Sequence, residues 1–154
     1  MKLEELKKNY SILEKKYKLP RFSELNEDFG VEGLRKGEEL LLRNVRKTML
    51  EKIANSIGFV EMLLNPINAP RMYLVYIKSM TVEDKKEIEK IYSVLADILT
   101  ASLRLEIEYS EKGEAEMIIR VFNDWNSIKK LFMKIAEHMQ NPVSSPTKER
   151  SYFG

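Results

Sequence analysis

The sequence predicts an all-α protein, an antiparallel helical bundle with three long helices, a shorter N-terminal helix and two short connecting helices. Apolar residues recur at alternating spacings of three and four, which is the period of one face of an α-helix. The 154 residues include only 6 Gly and 5 Pro, which suits long helices better than a turn-rich β fold. A chain of this length buries one core. We therefore expect one domain over residues 1–140, followed by a flexible tail over residues 141–154 that is rich in proline, serine and charge.

The N-terminal helix is predicted by an apolar stripe and must end before Pro20, because the residue before a proline disfavours helical geometry. The stripe consists of Leu3, Leu6, Tyr10, Leu13 and Tyr17.

Residues 22–41, FSELNEDFGVEGLRKGEELL, have the order of features found in a DNA-reading helix-turn-helix: a short amphipathic helix, a turn, and a basic segment that leads into another helix. That motif needs a small residue inside its first helix, where Asn26 stands, and an exposed recognition helix. The segment in the place of the recognition helix contains two glycines, each costing about 1 kcal/mol in a helix interior, and three glutamates where phosphates would lie. We therefore predict a short helix capped by Ser23, whose apolar face is buried. That face consists of Phe22, Leu25 and Phe29.

The first long helix is predicted to start between Gly33 and Gly37 and to end before Pro66. Its apolar stripe consists of Leu42, Val45, Met49, Ile53, Ile57, Val60 and Leu64. The apolar residues 72–76 that follow predict a short buried helix, because a lone strand has no partner to pair with.

The second long helix is predicted to begin at Thr81, because Thr81 and Asp84 have the spacing of a capping box. The chain is expected to turn around Gly113, and the third long helix to stop before Pro142. Such stripes on long helices joined by short turns predict antiparallel packing. The stripe of the second long helix consists of Ile88, Ile91, Leu95, Ile98, Ser102, Leu105 and Tyr109. The stripe of the third long helix consists of Ile118, Phe122, Trp125, Ile128, Phe132, Ile135 and Met139.

Composition argues against several function classes. The chain has no Cys, which excludes disulfides and thiolate chemistry and fits a reducing cytoplasm. No apolar run approaches the roughly 18 residues of a membrane span, so we expect no membrane partner. The single histidine, His138, belongs to no Glu-x-x-His motif, which excludes a ferritin-like di-iron centre. There is no phosphate-binding glycine loop and no nucleophile beside a base, so we expect no cofactor and no enzyme activity.

Carboxylates at 108, 111 and 114 have the spacing of metal-binding pairs. We expect these glutamates to be solvated, because they fall at a helix end and turn. Three other charges stand inside apolar runs, one on each long helix: Glu61, Asp97 and Arg120. A buried charge is costly unless it is paired. These residues therefore either flank the core and reach water, form a buried polar cluster, or line a catalytic pocket on which they converge.

Protein–protein contact is the leading functional expectation. Tyr73 and Tyr76, beside a methionine-containing segment, and Tyr152 and Phe153, in the tail, are aromatic residues that no core stripe accounts for. We expect a non-enzymatic interaction or scaffold protein. It is expected to associate with itself, as a homodimer, or with another protein, because four helices leave apolar edges uncovered.

The alternative is a nucleic-acid-binding accessory protein. Residues 1–21 carry seven basic and three acidic side chains, and residues 34–52 carry six basic and three acidic ones. These basic stretches alternate with acidic ones, and the net charge is only +2. The sequence thus permits nucleic acid as a partner without favouring it.

Two phrases, LEKKYKLPRFSELNEDF at residues 13–29 and VFNDWNSIKKLF at residues 121–132, resemble a family of uncharacterised archaeal helical proteins. The resemblance implies an archaeal, cytoplasmic origin and a helical fold in which residues 19–29 enter a bundle. It implies no activity and assigns no functional residues.

Overall fold

The computed structural model describes residues 2–34 and 40–141. Across these residues it contains six α-helices, one turn of 3-10 helix at Val31–Gly33, and no strand. The prediction of an all-α fold is therefore confirmed. The helices are α1 (Leu3–Tyr17), α2 (Phe22–Phe29), α3 (Leu41–Leu64), α4 (Arg71–Ser79), α5 (Val82–Ile107) and α6 (Glu111–Gln140). The predicted tail, apart from Asn141, lies outside the described residues.

Helix α1 ends as predicted before Pro20, with Lys18 in the left-handed region at φ 57°. Helix α2 begins at Phe22 with its cap at Arg21, two residues before the expected Ser23 cap, which is therefore wrong. The backbone N–H of Arg21 donates to Glu24 Oε2 at 3.1 Å, which satisfies one free donor at the helix start. Glu24, and not Ser23, is the side chain that closes this end.

The apolar face of α2 is buried largely as predicted. Leu25 and Phe29 are buried, and Phe22 is half-buried with its ring against Tyr10 at 5.6 Å between centroids. The helix ends at Gly30, whose φ of 64° is the left-handed geometry that glycine adopts without strain.

Helix α3 begins at Leu41, later than predicted. Leu40 has φ 59°, which is incompatible with a right-handed helix, so the helix starts after it. Gly37, the latest predicted start, lies outside the described residues. The predicted end before Pro66 is confirmed, since α3 ends at Leu64.

Helix α5 begins with the predicted capping box. Thr81 N–H donates to Asp84 Oδ2 at 3.1 Å, and Asp84 N–H donates to Thr81 Oγ1 at 3.0 Å.

The turn predicted at Gly113 lies at 108–110 instead, and Gly113 stands in the first turn of α6. Its N–H donates to Ser110 Oγ at 3.1 Å, as in a serine-capped helix. A Cβ at Gly113 would lie 2.8 Å from Leu105 Cδ2, so the glycine is needed here for a close approach of α5 and α6. Tyr109, expected in the stripe of α5, lies beyond the end of that helix.

The chain clusters into two compact units. Among the described residues, the first joins residues 2–34 and 40–54 to residues 97–125, and the second joins residues 55–96 to residues 126–141. The core of the first unit includes Leu6, Tyr10, Leu25, Val45, Met49, Ile53, Ile98, Ile118, Val121 and Trp125. The core of the second includes Val60, Leu63, Tyr76, Ile88, Ile91, Leu95, Ile128 and Ile135. One domain over residues 1–140 stays a prediction.

Candidate functional site

Arg46 of α3 and Glu114 of α6 form a buried ion pair in the first unit. Both side chains are 0% exposed. Arg46 Nε donates to Glu114 Oε2, and Arg46 Nη2 donates to Glu114 Oε1 at 3.2 Å. Glu114 stands in the first turn of α6, where the positive end of the helix dipole favours a carboxylate. This two-bond geometry offsets part of the large cost of removing both charges from water.

Glu106, near the end of α5, extends this pair towards the surface. It accepts from Arg46 Nη2 at 2.8 Å and from Arg43 Nη2 at 3.0 Å, and Lys47 Nζ lies 3.8 Å from its Oε2. We refer to these five residues, Arg43, Arg46, Lys47, Glu106 and Glu114, as the Arg46 cluster. The cluster ties α3, α5 and α6 together within the first unit.

Hydrogen bonds shift the pKa values of two members of the Arg46 cluster, Glu106 and Arg46. Hydrogen bonds from Arg46 and Arg43 lower the pKa of Glu106 to about 2. Burial by itself would lower the pKa of Arg46, but its hydrogen bonds to Glu114 and Glu106 outweigh burial and raise that pKa. A carboxylate held ionised by two guanidinium groups is a poor general base, because an effective one has a pKa near the working pH. The cluster is therefore suited to fixing helices in register.

The burial of Arg46 and Glu114 was not predicted, although the sequence contains a signal for both. Arg46 lies on the spacing Leu42, Arg46, Met49, and Glu114 lies on the spacing Glu114, Ile118, Val121. Each charged residue thus lies on the same helix face as buried apolar residues one turn away. A charge at such a position is expected to be buried, whereas apolar neighbours immediately beside it in sequence do not indicate burial.

Of the three alternatives for Glu61, Asp97 and Arg120, the structure agrees with the first: all three side chains are exposed, so they form no buried polar cluster. Arg120 lies 3.5 Å from Asp124, one turn along the same helix. Each of the three follows or precedes a stripe residue by one or two positions. A step of one residue rotates a side chain by about 100°, away from the core.

The three glutamates expected to be solvated behave differently from one another. Glu108 is exposed, Glu111 is half-buried, and Glu114 is buried, so the prediction is wrong for Glu114. Glu111 Oε1 accepts from Tyr17 Oη at 2.5 Å and from Lys16 Nζ at 3.3 Å, and these bonds lower the pKa of Glu111. They attach the end of α1 to the start of α6.

A second polar contact in the first unit surrounds Lys52 of α3. Its Nζ lies 4.8 Å from the ring centroid of Trp125 and 5.6 Å from that of Phe29, and it donates to the backbone oxygen of Asp28. The two rings are themselves 6.0 Å apart. Lys52 therefore holds the end of α2 by cation–π contacts and a hydrogen bond.

The predicted interaction surface is corrected on α4. Tyr76 is buried and Tyr73 is half-buried, with its ring 5.9 Å from that of Phe59. Tyr152 and Phe153 lie outside the described residues. The exposed apolar residues of α4 are instead Met72, 70% exposed, and Val75, 52% exposed. A short helix was predicted here and is present, but only the face of α4 that carries Tyr76 is buried.

Grooves on the first unit have mixed linings. One of about 410 Å³ runs between α5 and α6, with an apolar floor that includes Leu105 and Met117 and with Arg104 and Arg120 among its other lining residues. Over residues 2–34 and 40–141, no three His, Asp or Glu side chains gather closely enough to hold a metal ion. Within the same residues, no helix has the length and apolarity needed to cross a membrane.

Comparison with known proteins yields no match: no protein-family model, no curated protein and no solved structure is significantly similar to this chain. The chain's own surfaces are therefore the basis for a functional proposal.

Proposed function

We propose that this chain is a non-enzymatic interaction protein of helical-bundle type, which docks another protein or a second copy through a helix face. The observation that carries the proposal is the exposure of Met72 and Val75 on α4. These residues are three apart, so they lie side by side on one face of the helix. Large apolar side chains grouped at the surface are typical of a protein contact.

The chemistry of this surface indicates what it binds. Arg71 and Lys78 are exposed on the same face of α4 as Met72 and Val75, because Arg71, Val75 and Lys78 follow one another at spacings of four and three. Helix α4 has no acidic residue. A complementary partner surface is therefore apolar in its middle and acidic at its edges.

We propose in addition that the long helices pack as an antiparallel bundle, which supplies a stiff scaffold for this surface. Only residues 108–110 join α5 to α6, and Leu105 approaches Gly113 across that turn. In the second unit, Lys134 of α6 lies 3.6 Å from Glu87 near the start of α5. Contacts between the end of α5 and the start of α6, and between the start of α5 and a later turn of α6, are those of antiparallel neighbours.

Nucleic acid is the weaker proposal. Three basic residues of the stretch 34–52, namely Arg43, Arg46 and Lys47, lie against the carboxylates of the Arg46 cluster. Their charge is therefore largely neutralised within the chain. The expectation is no binding to generic duplex or single strand even at low salt, measured by fluorescence anisotropy. Tight binding that weakens steeply with added salt supports the nucleic-acid role instead. An archaeal, cytoplasmic origin stays a prediction from the resemblance.

The docking proposal is tested by affinity capture from an extract of the source organism. The wild type and the variant M72D/V75D are compared, and Ile12→Asp serves as the matched control. Ile12 is a similarly exposed apolar residue on α1 in the first unit, so its change replaces an exposed apolar side chain by an acidic one elsewhere. We expect one protein to be retained by the wild type and the Ile12 variant and lost by M72D/V75D. Mass spectrometry then identifies it.

A photo-cross-linking residue at position 75 adds a direct readout, since it marks only what touches α4. Retention of the same protein by M72D/V75D, with no cross-link from position 75, refutes docking through α4. Circular dichroism of each variant establishes that the fold is intact.

A further inference from the structure

Helix α5 carries a second apolar stripe that faces away from the core of the first unit. Ala96, Thr100, Leu103 and Ile107 follow one another at spacings of four, three and four. Leu103 is 59% exposed and Ile107 is 88% exposed, whereas Ile98 and Leu105, on the other face, are buried. This spacing is that of the seam of a coiled coil, and within the chain the seam has no cover over Leu103 and Ile107.

Two opposite charges flank this stripe on one side. Asp97 follows Ala96 and Arg104 follows Leu103, so both stand one position after a stripe residue and seven residues apart. Both are exposed, and among the described residues neither takes part in an ion pair. On the other side of the stripe, Glu106 is engaged by Arg43 and Arg46. The charged edge free for a partner is therefore the one that holds Asp97 and Arg104.

We propose that two copies of this chain associate through α5, with the two α5 helices antiparallel about a two-fold axis. In this register Thr100 faces Leu103 of the second copy, and Ala96 faces Ile107 of the second copy. In an antiparallel pair the two-fold axis is perpendicular to the helices, so the edge with Asp97 and Arg104 lies on the same side of the seam in both copies. Asp97 therefore lies alongside Arg104 of the second copy. The same contact then occurs twice, because an isologous interface repeats every contact.

The charge order explains why the occupant is a second copy. One surface that presents an acid and a base, seven residues apart beside an apolar seam, is complementary to itself when reversed. In a parallel pair the two-fold axis would run along the helices and place the two flanks that hold Asp97 and Arg104 on opposite sides of the seam, so these charges could not pair with each other. The seam spans about three helical turns, which places the interface at the small end of the range for specific complexes. The dimer is therefore expected to be in exchange with the monomer.

This inference rests on the proposed role as an interaction protein, but it uses a surface other than α4. Sedimentation equilibrium of the full chain, from micromolar to near-millimolar concentration, measures it. The wild type is expected to approach twice the monomer mass as concentration rises. The variant L103S/I107S is expected to remain a monomer with an unchanged thermal melt, because both side chains are already exposed in the monomer.

Variants that exchange the charges of Asp97 and Arg104 provide the decisive test. Asp97→Arg and Arg104→Glu each replace two attractive contacts by two repulsive ones, so each variant alone is expected to dimerise at least about tenfold more weakly than the wild type. Mixed together they form a heterodimer in which both contacts are attractive again. The double variant D97R/R104E, which reverses both charges, is also expected to recover the affinity of the wild type.

The proposal is overturned if the wild type stays monomeric at every concentration, or if L103S/I107S dimerises as well as the wild type does. It is equally overturned if the mixture of single charge variants gains nothing over either alone. M72D/V75D is expected to dimerise normally. A dimer lost in that variant and kept in L103S/I107S assigns self-association to α4, which supports docking through α4 and refutes the α5 interface.

Discussion

Replacing Glu114 by Leu tests the Arg46 cluster most directly. The change removes both hydrogen bonds from Arg46 to Glu114 and leaves the 2.8 Å bond to Glu106. Removing one partner of a buried ion pair costs about 3–5 kcal/mol, because the other charge stays buried without compensation. Since Glu106 still neutralises part of the Arg46 charge, we expect a loss of about 3 kcal/mol in the free energy of unfolding.

The double variant R46M/E114L separates the cost of an unpaired charge from the value of the pair. Replacing both partners of a buried pair by apolar residues is often neutral or stabilising, so we expect the double variant to unfold within about 1 kcal/mol of the wild type. Loss of Arg46 also frees Glu106, but that carboxylate is 38% exposed and keeps Arg43 and Lys47 beside it. The coupling energy between the two sites is therefore expected to exceed about 2 kcal/mol.

Urea unfolding followed by tryptophan fluorescence is the suitable assay. Trp125 is the single tryptophan of the chain and lies in the core of the first unit, which also contains the cluster. Far-ultraviolet circular dichroism, recorded in parallel, reports whether unfolding is two-state. Glu116→Leu, an exposed position two residues further along α6, is the control and should change stability by less than about 0.5 kcal/mol. A loss below about 1 kcal/mol in E114L, or additive losses in R46M/E114L, refutes the reasoning.

Three further perturbations have defined outcomes. The pKa of Glu106 is depressed to about 2, so its contribution is present above its usual pKa near 4.5 and is lost as pH falls towards 2. The free energy of unfolding, measured as pH is lowered, should therefore fall by about 1 kcal/mol less in Glu106→Gln than in the wild type, after allowance for solvent screening. An equal fall in both proteins contradicts this. Lys52→Met removes the ammonium from Trp125 and Phe29 and should cost about 1–2 kcal/mol with a change in tryptophan emission, whereas unchanged emission argues against the cation–π contact. Burial, with Asp84 and Glu87 adding to it, raises the pKa of Tyr76 to about 12. The stability that depends on a protonated Tyr76 hydroxyl is therefore complete below pH 10 and is lost as pH rises towards 12. Tyr76→Phe should lessen this alkaline loss of stability, and an identical alkaline profile contradicts the assignment.

Much of the secondary structure followed from local signals. Stripes with a spacing of three and four identified all four longer helices, and the prolines at 20 and 66 marked where two of them end. The Thr81 and Asp84 capping box was also readable, because both partners belong to one turn. The cap of α2 lies at Arg21, two residues before the predicted Ser23, and Glu24 accepts the backbone N–H of Arg21 there.

The polar features depended on contacts that no local pattern contains. Arg46 and Glu114 are 68 residues apart in sequence, and neither is an obvious partner of the other until α3 and α6 are side by side in the first unit. Glu61, Asp97 and Arg120 had apolar neighbours, but their direction on the helix carried them to water. For α4, the composition suggested a contact surface, yet only the packing decided that Tyr76 turns inward while Met72 and Val75 face out.

The sequence by itself determined that this chain is helical and where most of the helices lie, because hydrogen bonding and periodicity act within a few residues. Only the tertiary structure decided which charges are buried as a pair and which apolar side chains remain at the surface. Burial is a property of what lies opposite a side chain, and that is set by distant segments of the chain. The exposed faces of α4 and α5, on which both proposals rest, became visible only after the core had been assigned.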